Sequence, residues 1–110
     1  MVKKRTFWLS YDLGLRGNYN GLYRWLDKYK AKECGDSIAV FEYELKTDDP
    51  KEELKSELLE NVEFNKTDRI YLIWRDSSKK VNRGSFIVGN RKPAPWEGYF
   101  TTDADQTIDE

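Results

Sequence analysis

The chain has 110 residues and no histidine, which excludes Ser-His and Cys-His nucleophile pairs and histidine metal ligands. Carboxylates, tyrosines, one cysteine and the basic residues are left to do any chemistry. Asp12 stands out among them. It ends Thr6-Phe-Trp-Leu-Ser-Tyr-Asp12, an alternating strand that delivers its last side chain to solvent. Its local reading is a cap, with the carboxylate accepting amides of the turn that follows. Glu42 and Glu44 share one face of a second strand, as a carboxylate pair or as cross-strand partners of Lys or Arg. Cys34 lies between Glu33 and Gly35, where a neighbouring acid disfavours the thiolate, so it reads as inert. Gly14-Leu-Arg-Gly17 is too short to be a phosphate-binding glycine fingerprint.

The basic residues are unevenly spread. The formal net charge is −1, but Asp103, Asp105, Asp109 and Glu110 crowd the last ten residues, so residues 1–100 carry a surplus of bases. Arg75, Lys79, Lys80, Arg83, Arg91 and Lys92 fall in one stretch with a single acid, Asp76. Such an edge attracts phosphates, and it also suits an ordinary solvated hairpin. Arg16, Lys79, Lys80 and Arg83 are the candidate nucleic-acid contacts.

The elements that must position these groups follow from periodicity. Phe7, Leu9 and Tyr11 share one face of the first strand; Trp8, Ser10 and Asp12 share the other. Asn18 caps a helix from about residue 19 to 29, with Tyr19, Leu22, Leu26 and Tyr29 as its apolar stripe and Trp25 on the flank. Residues 30–34 predict a short strand. Gly35-Asp36 predicts a two-residue hairpin turn, and 37–45 the returning strand. Asp49, Pro50 and Glu52 mark the start of a second helix, with Leu54, Leu58, Leu59 and Val62 buried and Glu53, Glu57, Glu60 and Glu63 solvated. Residues 69–76 form an apolar strand, and 84–88 an extra short one. Pro93 and Pro95 then take the chain out of the sheet. The order is β-α-β-β-α-β plus one strand. It predicts an α+β, ferredoxin-like antiparallel sheet with both helices on one face. Residues 1–100 form a single domain, and 101–110 a disordered acidic tail.

Tyr11-Asp12 at the first strand's end and Val40-Phe-Glu42 inside the second, in this order of elements, resemble the small CRISPR-associated adaptation subunit (Cas-two) family. They are also similar to its VapD-type ribonuclease relatives. The resemblance spans about residues 6–76. It implies a nucleic-acid-binding homodimer of a prokaryotic or phage defence system and a metal-dependent endonuclease. It also implies that Asp12, catalytic there, holds Mg²⁺ opposite its copy across the dimer axis. Family members often follow that aspartate with further acidic or polar residues. Here Leu13-Gly-Leu-Arg-Gly17 follows, and Arg16 suits a phosphate better than a cation. The alternative is therefore a non-catalytic adaptor, antitoxin or inhibitor on the same fold.

The expected partners are a second copy, RNA or DNA, and a protein docking on the segment from Pro93 to Phe100, where Trp96, Tyr99 and Phe100 gather. No apolar run reaches the roughly 18 residues of a membrane span. The expected location is cytoplasmic, without a membrane partner.

Overall fold

The structure is a computed structural model that describes residues 3–100; the expected acidic tail, 101–110, lies outside the described residues. The elements are β1 (Lys3–Asp12), α1 (Tyr19–Lys28), β2 (Lys32–Glu33), β3 (Ile38–Leu45), α2 (Pro50–Asn61), β4 (Arg69–Asp76) and β5 (Val81–Val88). The five strands make one sheet in the order β2-β3-β1-β4-β5. Every neighbouring pair is antiparallel. The fold is thus α+β, with two helices and a strand beyond β4.

Alternation on β1 decides which side is core. Phe7 and Leu9 are fully buried, while Trp8 between them is 37% exposed. Phe41, Tyr43, Ile70, Leu72 and Ile87 join the buried side from the other strands. Leu22, Trp25 and Leu26 of α1 and Leu54 and Leu58 of α2 belong to the same cluster. Both helices therefore cover one face of the sheet and leave the other without helical cover. No helix among the described residues is long and apolar enough to cross a membrane.

Local chemistry explains the element ends. Asn18 Oδ1 accepts the Gly21 N–H, and Asp49 Oδ1 accepts the Glu52 N–H, as helix caps do. The reciprocal arm expected of Glu52 is made instead by Thr47, whose Oγ1 accepts the Asp49 N–H. Glu53 and Glu57 are not simply solvated. Glu53 accepts the Lys46 and Thr47 amides, and Glu57 accepts the Tyr29 hydroxyl at 2.7 Å. Leu59 is exposed rather than buried, and Trp25 is core rather than flank.

Three strand boundaries differ from expectation. The Ala31 N–H is still bonded to the Leu26 carbonyl, and Lys30 takes φ 54° to turn the chain out of α1. This leaves only Lys32–Glu33 for β2. The β2–β3 turn spans 35–37 rather than two residues, because Cys34 N–H bonds to the Ile38 carbonyl and Ser37 takes the left-handed conformation (φ 62°). β5 starts at Val81 instead of residue 84. Asp76 accepts the Ser78 hydroxyl, the Lys79 N–H and Arg83 Nε, which folds the chain back at once. These same contacts hold the Asp76 carboxyl down at about 2.

Candidate functional site

The uncovered face is built from every second residue of the central strands. On β1 these are Trp8, Ser10 and Asp12. The register puts Val40 and Ile73 beside Trp8, Ile38 and Tyr71 beside Ser10, and Arg69 beside Asp12. β5 adds Phe86 opposite Tyr71. The Tyr71 and Phe86 rings meet edge to face, with centroids 4.8 Å apart. Gly84 makes room for this arrangement: a Cβ there would stand 2.5 Å from the Tyr71 hydroxyl oxygen.

Two arginines lie on these rings. Arg91 stands over Tyr71 at 5.8 Å and over Phe86 at 5.4 Å, and Arg69 stands over Phe86 at 5.8 Å. Guanidinium groups favour such faces because the ring quadrupole is negative there. Together with Ser10, Asp12, Ile38 and Ile73 these residues line a shallow hollow of about 470 Å³. That size falls within the range of small-ligand sites.

Asp12 sits at the rim of this hollow. Its Oδ2 accepts both Nε and Nη2 of Arg69, at 3.1 and 2.6 Å. The capping task falls to a different carboxylate. Asp68 is 1% exposed; it accepts the Gly14 N–H on Oδ1 and the Asn65 N–H on Oδ2. It ties the exit of β1 to the entry of β4. Its signal in the sequence is faint: a lone carboxylate three residues after Asn65 and just ahead of a strand.

The donor set around Asp12 suits Mg²⁺ poorly within one chain. Mg²⁺ takes oxygen ligands in near-octahedral geometry, and this carboxylate already carries a guanidinium. Among the described residues no three Asp, Glu, Cys or His side chains gather as a metal site would require.

The basic candidates are separated. Arg16 is exposed in the loop after β1, where its carbonyl accepts Asn65 Nδ2. Lys79 and Lys80 lie in the β4–β5 turn, at the opposite end of β4, roughly 20 Å away by the rise of a strand. Arg83 is bound to Asp76 at 3.1 Å. Glu42 pairs with Lys4 at 3.7 Å, the cross-strand arrangement open to it, and Cys34 is an exposed free thiol.

Beyond β5, Gly89 (φ 77°) turns the chain away from the sheet. Two short turns follow, from Glu97 N–H to the Ala94 carbonyl and from Tyr99 N–H to the Trp96 carbonyl. They leave Trp96, Tyr99 and Phe100 between 62% and 93% exposed. Compared with known proteins, the chain matches no family model, no curated protein and no solved structure.

Proposed function

We propose that this chain is a ferredoxin-like nucleic-acid-binding protein that works in the cytoplasm through the uncovered face of its sheet. The order β2-β3-β1-β4 supports the ferredoxin-like reading, with the short β2 and the added β5 as departures from its four-stranded form. The observation that carries the function is the exposed Trp8 on the central strand, on the same open face as Tyr71, Phe86 and two arginines. Aromatic faces stack on bases, and guanidinium groups bind phosphates. This surface replaces the Lys79–Lys80 hairpin as the main contact; the hairpin and Arg16 are left as outlying phosphate contacts.

The resemblance to the small CRISPR-associated adaptation subunit is what supports a role in a prokaryotic or phage defence system. Mg²⁺-dependent cleavage would require two chains to bring their Asp12 carboxylates together and both to release Arg69. The Arg69 contact favours binding without cleavage. A panel of single- and double-stranded RNA and DNA, with and without Mg²⁺, tests both points. Binding without cleavage is expected, and Asp12→Asn should leave it intact. Mg²⁺-dependent cleavage that Asp12→Asn abolishes would restore the nuclease.

A second reading, an interaction protein or homodimer, draws on Trp96, Tyr99 and Phe100, whose exposed rings offer a docking strip. Light scattering decides it. A species of twice the chain mass that Trp96→Ala returns to one chain supports the strip; a monomer at high micromolar concentration removes it.

A further inference from the structure

We propose that the uncovered face takes a single strand, splaying a few unpaired nucleotides across it, with one base on Trp8 and another on the Tyr71–Phe86 pair. This rests on the reading that the face binds nucleic acid, and it adds which form is bound and how.

Trp8 is 37% exposed on this face. Among the described residues no ring pair or cation–ring contact involves it, although the helix-side aromatics are paired repeatedly. The second site is the edge-to-face pair of Tyr71 and Phe86, on which Arg91 lies. Arg91 makes no ion pair among the described residues and follows the Gly89 turn. A base arriving on these rings takes the place of the guanidinium, which then meets the adjoining phosphate.

Spacing selects the strand form. Trp8 is level with Ile73, and Phe86 is level with Tyr71, two residues along β4 and one strand farther out. With strands about 4.8 Å apart and a rise of about 3.3 Å per residue, the Trp8 backbone stands about 8 Å from that of Tyr71 and about 12 Å from that of Phe86. Consecutive stacked bases are only ~3.4 Å apart along one strand. Bases on both sites must therefore be unstacked from each other, which an unpaired strand permits and a duplex does not.

Charge selects nucleic acid over an apolar partner. Arg69 and Arg91 flank the aromatic centre, Lys32 and Arg75 occupy the same face, and together with Lys4 they outnumber its acids, Asp12, Glu42 and Glu44, of which Asp12 is paired with Arg69 and Glu42 with Lys4. Protein interfaces are depleted of charge at their cores. Covering this face with protein would bury the Arg69–Asp12 ion pair and the Arg91 guanidinium.

The test is fluorescence anisotropy with labelled uridine and thymidine oligomers about 12 nucleotides long, a length suited to one small binding domain. A duplex of equal length is the control. The single strands should bind at least ~10-fold tighter than the duplex. Trp8→Ala should weaken them about 5- to 100-fold, the range for losing one base–aromatic stack, and Trp8→Phe should recover most of the loss. Arg91→Ala should weaken binding and flatten its salt dependence. The ratio of uridine to thymidine affinity separates RNA from DNA as the preferred source. Equal or tighter duplex binding that still depends on Trp8 would overturn the single-strand inference and leave the site reading standing. If nucleic acid does not bind, or binds wild type, Trp8→Ala and Arg91→Ala alike, the site reading itself fails. A dimer that Trp8→Ala splits without any change in nucleic-acid affinity assigns the face to a second copy and also overturns the proposal.

Discussion

The two faces of the sheet are built from similar side chains and differ in how their rings are held. On the helix side Phe7, Phe41, Trp25, Tyr29 and Tyr43 contact one another at centroid distances of 4.8–6.4 Å. Their polar atoms are satisfied there. Glu57 accepts the Tyr29 hydroxyl, and burial followed by that bond pushes the phenol up to about 12. On the other side Trp8 has no ring partner among the described residues, and Tyr71 and Phe86 pair with each other beneath arginines. Aromatic content alone therefore says little about function; what separates the two faces is whether a helix closes over the rings.

The largest test of that contrast is a pair of neighbours on one strand. Phe7→Ala should cost about 3–5 kcal/mol, because it opens a cavity in a fully buried site. Trp8→Ala, on the opposite face of β1, should cost well under half as much. Denaturant midpoints compare them directly, and equal losses would mean that Trp8 is also core. A middle-sized effect is expected at Gly84. The added methyl of Gly84→Ala meets the Tyr71 hydroxyl oxygen at 2.5 Å, an overpacking cost of about 1–3 kcal/mol. Reduced backbone freedom offsets about 0.5–1 kcal/mol of it, so a net loss near 1 kcal/mol is predicted, together with weaker ligand binding on the open face. A stability gain would show that Tyr71 swings aside without cost.

The smallest effect belongs to Glu53 on the helix side. Burial acts to raise its carboxyl, but hydrogen bonds from the Lys46 and Thr47 amides, the Thr47 hydroxyl and Tyr43 outweigh it and hold it below its ordinary 4.5. A lowered folded value contributes stability that is present above 4.5 and lost as pH falls through the folded value. The stability difference between wild type and Glu53→Gln should therefore shrink between about pH 6 and about pH 3. A difference that stays constant over that interval would leave the carboxylate without a net role.

What could be read from the chain was local. Asn18 and Asp49 announced their helices because a cap is one side chain bonding to an amide three residues on. Alternation likewise placed Trp8, Ser10 and Asp12 together. Asp68 was hidden because the amide it holds, that of Gly14, is distant in sequence. The Arg69 contact of Asp12 needed the β1–β4 register, which no local pattern supplies. β5 began earlier than expected because Val81, Asn82 and Arg83 lie on an exposed edge, without an apolar alternation to mark them. An open face followed from the expectation of both helices on one side, but the meeting of Tyr71 and Phe86 on it needed the β4–β5 register.

The unequal edges of the sheet have a consequence for growth. One edge is β2, two residues long; the other is β5, eight residues long. Strand addition between copies would find its longest continuous template at β5, because the other edge is stepped: β2 covers β3 only at Ala39 and Val40. A symmetric pairing through β5 would consume the long edge of both chains and leave the stepped edge facing outward, a poorer template for a third copy.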